Sequence, residues 1–311
     1  MRIADIEAQF LEAAANRGII IRKIIADGRF HRCDAEGKNG RGDASYRLIL
    51  DDNFPVGFLQ NFRDGLGCET WRPSGGVAIS PTQIAEVKAK IARQARERET
   101  ERARAQAAAA RRALEMIQAA HPADPLHPYL QLKHVKPHGI FQLGDALLIP
   151  MRDAAGAVWN VQRIFPDAKK RYLRDGRKKG LFFVIGKLDR RTVAVVEGFA
   201  TAASVRQATE LPVLVAFDAG NLVHVAAAMR KNPDTFLIFA ADDDHLTIGN
   251  PGLTKATEAA QSVGNAAVVL PDFGADRGER DTDFNDLASR YGLAAVRKQI
   301  QDGLVGTGST F

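Results

Sequence analysis

The sequence predicts an α/β protein in which a parallel sheet, flanked by helices, forms the carboxyl-terminal part of the chain. Four apolar runs, 192–196, 213–217, 236–240 and 266–270, have the length and character of buried strands. Continuous apolar strands separated by helices are typical of a parallel sheet covered on both faces. Ligands bind beyond the carboxyl ends of such strands, so the residues that follow each run are candidates for the site. The intervening helices are predicted at about 200–209, 222–230 and 254–263.

A small basic α+β subdomain, residues 123–190, is predicted to precede this sheet, which occupies 191–303. The runs 146–151 and 158–164 flank a turn that carries Asp and Gly, as in a β-hairpin. Further short strands are predicted at 172–173 and 181–184.

The first 78 residues predict a separate small α+β domain, with a helix at 3–16 and short strands at 46–50 and 56–62. A helical linker follows over 79–122, opened by Ser80 as N-cap and Pro81 at the first helical position. Apolar residues are sparse in the middle of this linker, which favours a solvated helix over a dedicated nucleic-acid-binding segment. Residues 304–311 are predicted to be a flexible tail.

Composition excludes several classes of protein. The chain has 311 residues, 45% of them apolar, and no apolar run approaches the roughly 18 residues of a membrane span. The amino terminus lacks the apolar core of a signal peptide, so we expect a cytoplasmic location. Cys33 and Cys68 are the only cysteines, which fits a reducing compartment. The net charge of +6 suggests an anionic partner.

Acidic residues follow three of the predicted strands. Glu197 follows the first strand, Asp218 the second, and Asp242, Asp243 and Asp244 the third. If the strands are neighbours, these carboxylates converge at one end of the sheet. Clustered carboxylates repel one another unless a cation neutralises them, and Mg²⁺ prefers such oxygen ligands. The predicted metal ligands are therefore Glu197, Asp242, Asp243 and Asp244.

Helix capping is the alternative explanation for each single acid. It explains Glu197 as well as catalysis does, and for Asp218, followed by Ala219-Gly220-Asn221, a turn is favoured. Three consecutive aspartates are different, because capping requires only one of them.

These residues carry a family resemblance. A strand that ends in Glu197-Gly198, with Asp242-x-Asp244 at the end of a later strand, resembles the TOPRIM domain of DnaG-type primases, topoisomerases and several nucleases. The detail is most similar to the primases of plasmids and prophages, over 197–202, 217–222, 241–244 and 282–287. The resemblance implies that Glu197, Asp242 and Asp244 are catalytic. Asp218, Asp283 and Asp286 are possible accessory residues, although capping the next helix explains Asp283 equally well.

The segment before Glu197 is similar to the small subdomain that precedes TOPRIM in these primases, where basic residues hold the single-stranded template. The resemblance places this role on Arg163, Lys169, Lys170, Arg171 and Lys179. Phe165 and Tyr172 lie among these cations and suit the stacking of bases. The alternative is an exposed basic loop.

The N-terminal domain looks like the remains of the zinc ribbon with which such primases begin. Tetrahedral zinc needs four ligands, whereas His31, Cys33 and Cys68 supply three at most. We therefore expect a degenerate, metal-free module and no bound zinc.

The resemblance implies a primase that makes short RNA primers from NTPs on single-stranded DNA, with Mg²⁺ or Mn²⁺ as cofactor. A TOPRIM nuclease, and a replication factor that binds single-stranded DNA without turnover, remain as alternatives. A topoisomerase is disfavoured, since no room remains for a separate domain with a nucleophilic tyrosine. No helicase-binding domain follows the last predicted helix, so a replicative helicase or other replication protein is expected to be engaged elsewhere, if at all.

Overall fold

The structure is a computed structural model. It describes residues 2–37, 42–50, 55–74, 81–188, 191–230 and 234–305. The chain divides into two compact units, Met1–Arg96 and Glu97–Phe311. The finer domain boundaries given above stay predictions. Within the described ranges, no helix is both long enough and apolar enough to cross a membrane.

The first unit is a helix packed on an antiparallel sheet. Helix α1 spans Ile3–Asn16, as predicted. The strands are paired in chain order: β1 Ile19–Ile20, β2 His31–Ala35, β3 Ala44–Ile49, β4 Val56–Asn61 and β5 Cys68–Trp71. Phe10 and Ala14 of α1 pack on Tyr46, Leu48 and Leu59 of the sheet to form the core. The predicted strands correspond to β3 and β4, whereas β1, β2 and β5 were not predicted.

The candidate zinc ligands of this unit lie apart. Cys33 is on β2 and Cys68 is on β5, with β3 and β4 between them. Strands lie about 4.8 Å apart, so the two cysteines are separated by roughly 14 Å. His31 Nε2 is 2.7 Å from Asp27 Oδ1, and burial raises the pKa of the Cys33 thiol to about 11. This geometry does not fit a tetrahedral zinc site.

Helix α2 spans Pro81–Gln118 and matches the predicted linker helix. Ser80, its predicted cap, lies outside the described residues. Most of the described side chains between residues 88 and 104 are exposed, whereas Ala109 and Ala113 are buried. The last turns of α2 therefore pack on a core.

That core belongs to a second antiparallel sheet. Its elements are β6 His121–Pro122, α3 Pro128–Leu132, β7 Phe141–Leu143, β8 Ala146–Arg152, β9 Val158–Ile164 and β10 Lys170–Tyr172. The strands are paired in the order β10-β9-β8-β7-β6. The hairpin predicted over 146–164 is confirmed as β8 and β9.

The third sheet is the predicted parallel sheet. Its elements are β11 Phe183–Ile185, β12 Thr192–Val196, α4 Phe199–Thr209, β13 Val213–Val215, α5 Leu222–Met229, β14 Phe236–Ala240, α6 Pro251–Val263, β15 Ala266–Val269 and α7 Phe284–Val305, which is broken at Gly292. The strand order is β11-β13-β12-β14-β15. Strands β12 to β15 are parallel, and β11 joins the edge antiparallel to β13.

Helices cover both faces of this sheet. Alternate residues of β12 point to opposite faces: Val193 and Val195 pack with α5 and α6, whereas Ala194 and Val196 pack with α4 and α7. The core that contains Ala194 and Val196 also contains Leu147, Ile149 and Ile164 of the antiparallel sheet. The two sheets therefore share one core, and this places β10 and α3 close to the carboxyl ends of the parallel strands.

Candidate active site

A cavity of about 180 Å³ lies at the carboxyl ends of β12 and β14. Three acids, Glu197, Asp242 and Asp283, and two lysines, Lys133 and Lys170, line it. The other lining residues are Tyr129, Gly198, Ala200, Thr201 and Phe217. Acids from three segments of the chain therefore meet at the sheet end that the sequence singled out.

Strand adjacency brings Glu197 and Asp242 together. β12 is the central strand, with β13 on one side and β14 on the other. The Phe217 amide donates to the Glu197 carbonyl at 2.8 Å, so the β12–β13 ladder continues to the site. Glu197 Oε1 and Asp242 Oδ1 are both buried and accept no hydrogen bond from any described residue. A buried carboxylate oxygen in this condition is costly unless a cation or a donor from a ligand reaches it.

The same crowding changes the ionisation of these two acids. Burial, and then the charges of Asp244 and Asp218, raise the pKa of Glu197 to about 7. Burial, and then the charges of Asp283 and Glu197, raise the pKa of Asp242 to about 9. A bound cation would favour the ionised form of both groups. Glu197 and Asp242 therefore fit a metal ion, because their buried carboxylates lack a compensating positive charge.

The four predicted metal ligands do not form one preformed cage. Among the described residues, no group of three or more His, Cys, Asp or Glu side chains is arranged to hold a metal ion. A magnesium site built from one or two carboxylates needs no such group. Mg²⁺ is commonly bound in this way, because it keeps several waters and completes its shell with substrate phosphates.

Asp243 does not line the cavity, and both of its carboxylate oxygens are hydrogen-bonded. Its Oδ1 accepts from Asn250 Nδ2 at 2.6 Å, and its Oδ2 accepts from Arg277 Nη1 at 2.5 Å. Burial alone would raise the pKa of Asp243, but the hydrogen bonds from Arg277 and Asn250 outweigh it and the pKa is lowered. Asp244 is held by the Gly252 amide, which donates to Asp244 Oδ2 at 3.0 Å.

The three accessory acids have different surroundings. Asp218 Oδ2 pairs with Lys178 Nζ at 2.9 Å, and both side chains are partly exposed. Asp283 caps α7, because its Oδ1 accepts from the Asn285 and Asp286 amides at 2.7 and 2.9 Å. Asp286 Oδ2 accepts in return from the Asp283 amide at 3.4 Å, which completes a capping box. Asp283 therefore caps the helix and lines the cavity at once, and burial and the nearby Asp286 raise its pKa.

The five predicted template-binding cations do not share one surface. Arg163 and Arg171 are directly paired across β9 and β10, so they share a face. Leu148, which is paired with Arg163, packs on Ala113, so α2 covers part of this face, while Arg171 is exposed. Lys170 projects from the opposite face and lines the cavity. Lys169 pairs with Asp167 at 2.6 Å, and Lys179 is exposed.

The position of Lys170 fits a role in the acid cavity better than the predicted role in holding the template. The residue as a whole is exposed, yet its ammonium group lies among Asp283, Asp242 and Glu197. Desolvation of the ammonium lowers its pKa, while these three carboxylates oppose that change.

Two cavity residues were not predicted from the sequence: Tyr129, which lies in α3, and Lys133, which lies in the turn after α3. Lys133 Nζ lies 3.7 Å from Asp286 Oδ1. Tyr129 is fully buried, and its hydroxyl has no hydrogen-bond partner among the described residues. Burial and the charge of Asp283 raise the pKa of Tyr129. No local pattern marks either residue, because both reach the site through the packing of the two sheets.

Tyr172 joins the antiparallel sheet to the end of β13. Gln162 Nε2 donates to the Tyr172 hydroxyl at 2.8 Å, and that hydroxyl donates to the Phe217 carbonyl at 3.2 Å. Lys178 Nζ lies 4.5 Å from the Tyr172 ring centroid. Phe217 has φ 72°, a left-handed conformation that is strained for a bulky residue and that often occurs at functional sites.

The part of the chain that carries the parallel sheet and the strand-end acids is similar to the Toprim domain. The Toprim domain family matches residues 192–294, and the TOPRIM prediction is thereby confirmed.

Two curated relatives, both named DNA primase TraC from Escherichia coli, extend the similarity upstream. One is 37% identical over 279 residues, which is 84% of this chain and 26% of the relative. The other is 38% identical over 257 residues, which is 78% of this chain and 18% of the relative. The chain thus spans about a quarter of the length of one relative and less than a fifth of the other. They bear out the predicted resemblance to a primase.

Two solved structures are also similar. The primase fragment of the bacteriophage T7 primase-helicase protein has a TM-score of 0.43 and 18% identity, over 55% of this chain and 73% of that chain. The RNA polymerase domain of Mycobacterium tuberculosis primase DnaG has a TM-score of 0.42 and 20% identity, over 64% of this chain and 82% of that chain.

Proposed function

We propose that this chain carries DNA primase activity, in which ribonucleotides are joined into a short primer on single-stranded DNA. The observation that carries the proposal is the pair of buried, unsatisfied carboxylates, Glu197 and Asp242, in one cavity with Lys133 and Lys170. A polyphosphate that bridges a metal ion and two ammonium groups suits this mixture of charges. The similarity to the TraC primases over most of the chain supports the same activity.

Each acid has a role that its surroundings support. Asp242 and Asp244 would bind Mg²⁺ or Mn²⁺, and Asp283, which lines the same cavity as Asp242, is the candidate for a further ligand. Glu197, which lines the same cavity as Asp242, is placed to accept the proton of the primer 3′-hydroxyl. When bound, the metal aligns the hydroxyl and stabilises charge on the nucleotide phosphate. We assign Asp243 no metal, since protein donors occupy both of its oxygens.

The cations divide between nucleotide and template. Lys133 and Lys170 lie at the acids, so we assign them to the phosphates of the incoming nucleotide. Arg163 and Arg171 share the other face of the antiparallel sheet and, with Lys169 and Lys179, remain the predicted contacts of the template backbone. A helicase partner remains a prediction from the resemblance.

Primer synthesis by the purified chain tests the proposal. The reaction contains single-stranded DNA, labelled NTPs and Mn²⁺ or Mg²⁺, and compares the wild type with Glu197→Gln, Asp242→Asn and the exposed control Asp145→Asn. We expect short labelled products from the wild type and the control, and a loss of about 10²- to 10⁴-fold for Glu197→Gln. Cleavage of the DNA without primer synthesis would support the nuclease alternative instead. Binding without either reaction would support the non-catalytic alternative.

A further inference from the structure

Arg277 connects the loop between β15 and α7 to the aspartates after β14. Its Nη1 donates to Asp243 Oδ2 at 2.5 Å and its Nη2 to the Asp243 carbonyl at 3.1 Å. Its Nε and Nη2 also donate to the Asp281 carbonyl, at 3.0 and 2.8 Å. The guanidinium lies 5.2 Å from the Phe273 ring centroid. All three guanidinium nitrogens are therefore engaged, in a rigid planar fork that lysine cannot reproduce.

The other end of this connection is also held. Asp281 Oδ2 accepts from the Gly278 amide at 2.7 Å and pairs with Arg290 of α7. The Asp243 amide donates to the Thr282 carbonyl at 2.7 Å. The loop therefore contacts both the backbone and the side chain of Asp243. It ends at Asp283, which lines the cavity.

We propose that Arg277 is a positioning residue for the metal site, and that Asp243 is its anchor. Asp243 lies between the two candidate metal ligands, Asp242 and Asp244. With both of its oxygens fixed outside the cavity, it sets the direction of the backbone from which its neighbours project. Arg277 also neutralises Asp243, so one negative charge fewer is left uncompensated beside the acids. The role rests on the proposed metal-dependent function of Asp242 and Asp244.

Direct binding of Mn²⁺, measured by electron paramagnetic resonance or calorimetry without nucleotide or DNA, tests this role. The variants are Arg277→Met, Arg277→Lys, Asp243→Asn and the double variant Arg277→Met/Asp243→Asn. The control is Arg280→Ala, which removes an exposed cation from the same loop. Groups that orient metal ligands typically contribute 10- to 100-fold in metal affinity. We expect a weakening of this size for Arg277→Met and for Asp243→Asn, a smaller one for Arg277→Lys, and none for the control.

The double variant distinguishes one coupled unit, the hydrogen-bonded pair Arg277 and Asp243 (here called the latch), from two independent contributions. If the two residues act as one unit, the double variant binds Mn²⁺ no more weakly than the weaker single variant. Additive losses, unchanged affinity in Arg277→Met, or an equal loss in Arg280→Ala would overturn the proposal. So would complete loss in Asp243→Asn with normal binding in Arg277→Met, because Asp243 would then be a ligand. If Arg277→Met does not fold, Arg277→Lys and Asp243→Asn decide.

The outcome is independent of primer synthesis. A wild-type chain that binds Mn²⁺ and shows the expected pattern, but makes no primers, supports the latch and contradicts the proposed activity. A chain that makes primers with normal metal affinity in Arg277→Met contradicts the latch alone. A wild type that does not bind Mn²⁺ contradicts the latch.

Discussion

Glu197 and Asp242 lie just beyond the ends of neighbouring parallel strands, and each buries one carboxylate oxygen that no described residue satisfies. Two such groups in one cavity repel each other and lose hydration when the chain folds. The parallel sheet therefore holds them at a cost in stability. This is the usual pattern of a site organised for a ligand, where function is kept at the expense of stability.

The first prediction concerns the stability of the metal-free chain. The pKa of Glu197 is about 7 and that of Asp242 about 9, both above the values of about 4 expected in the unfolded chain. At these two positions the folded state binds more protons than the unfolded state between these limits, so their contribution to the free energy of unfolding falls as pH rises from about 4 to about 9. In chelator, Asp242→Asn should unfold at a higher temperature than the wild type at pH 8, and its midpoint should fall less between pH 5 and 9.

Thermal unfolding across this pH range, with and without Mn²⁺, provides the check. Mn²⁺ at about 100 times its dissociation constant should stabilise the wild type by about 2.7 kcal/mol, and Asp242→Asn by less. The exposed Asp145→Asn should behave as the wild type in both conditions. Equal pH dependence in the wild type and Asp242→Asn would show that the pKa of Asp242 is not raised in the folded chain.

The second prediction concerns Gly252 in the first turn of α6. A Cβ built on Gly252 would lie 2.3 Å from the Asp242 carbonyl oxygen, which is far inside contact distance. Gly252→Ala must push α6 away from the end of β14, and it weakens the hydrogen bond from the Gly252 amide to Asp244. We expect a loss of about 1–3 kcal/mol in the free energy of unfolding, together with weaker Mn²⁺ binding.

Gly220→Ala is the matched control, because Gly220 follows β13 of the same sheet and its nearest contact is the flexible Asp218 carboxylate at 3.4 Å. It should change the free energy of unfolding by less than about 1 kcal/mol. Denaturant titrations of both variants decide the matter: similar losses would mean that the close approach of α6 to Asp242 has no special importance.

The parallel sheet was predictable because its strands are apolar along their whole length. The observed bounds of β12 and β14 agree with the predicted runs. The positions of the acids after the ends of these strands were therefore predictable too. Strand order was harder. That β12 lies between β13 and β14 depends on helix packing over both faces, which no single segment of sequence records.

Polar strands and distant contacts were less accessible. Strand β2 is mostly half-exposed and begins with His31, so it lacks the alternation that marks a strand. The Arg277–Asp243 pair joins residues 34 positions apart, and nothing in the local sequence indicates it. The division of Lys170 from Arg163 and Arg171 depends on which face of β9 and β10 meets the shared core, and spacing alone does not specify that.

The third prediction concerns Asp153, in the turn between β8 and β9. Its Oδ1 accepts from the Ala155 and Ala157 amides at 3.0 Å, and its Oδ2 accepts from Trp159 Nε1 at 2.7 Å. Burial alone would raise the pKa of Asp153, but these hydrogen bonds and Arg177 outweigh it, so the pKa is lowered. A lowered pKa contributes stability that is present above the unfolded value of about 3.9 and is lost as pH falls through the folded value.

Asp153→Ala should therefore lower the free energy of unfolding by about 1–3 kcal/mol at pH 7, and by less below pH 4. Asp153→Asn keeps an oxygen acceptor for the two turn amides and should lose less. Asp145→Ala, in the exposed turn between β7 and β8, is the matched control. Urea titrations at pH 7 and pH 3 test the sign, and a loss that does not shrink in acid would contradict the proposed role of the ionised carboxylate.

The last prediction concerns the N-terminal unit. Gly57 on β4 faces the aromatic core, where the Phe10 ring centroid lies 5.1 Å from that of Trp71. A Cβ on Gly57 would lie 2.2 Å from Phe10 Cε2 and 3.0 Å from Trp71 Cε3. Because Phe10 is fully buried, its ring has no solvent-filled space to enter, and Gly57→Ala should destabilise this unit by about 1–3 kcal/mol.

Hydrogen exchange read by mass spectrometry locates the effect, since peptides from α1, β3 and β4 should lose protection in Gly57→Ala. The companion variant is Phe10→Leu, whose smaller side chain leaves room for the new methyl group at the expense of a cavity. The double variant should then be less destabilised than the sum of the single variants, because the two residues are in direct contact. Strict additivity would mean that Phe10 is not what excludes a side chain at position 57.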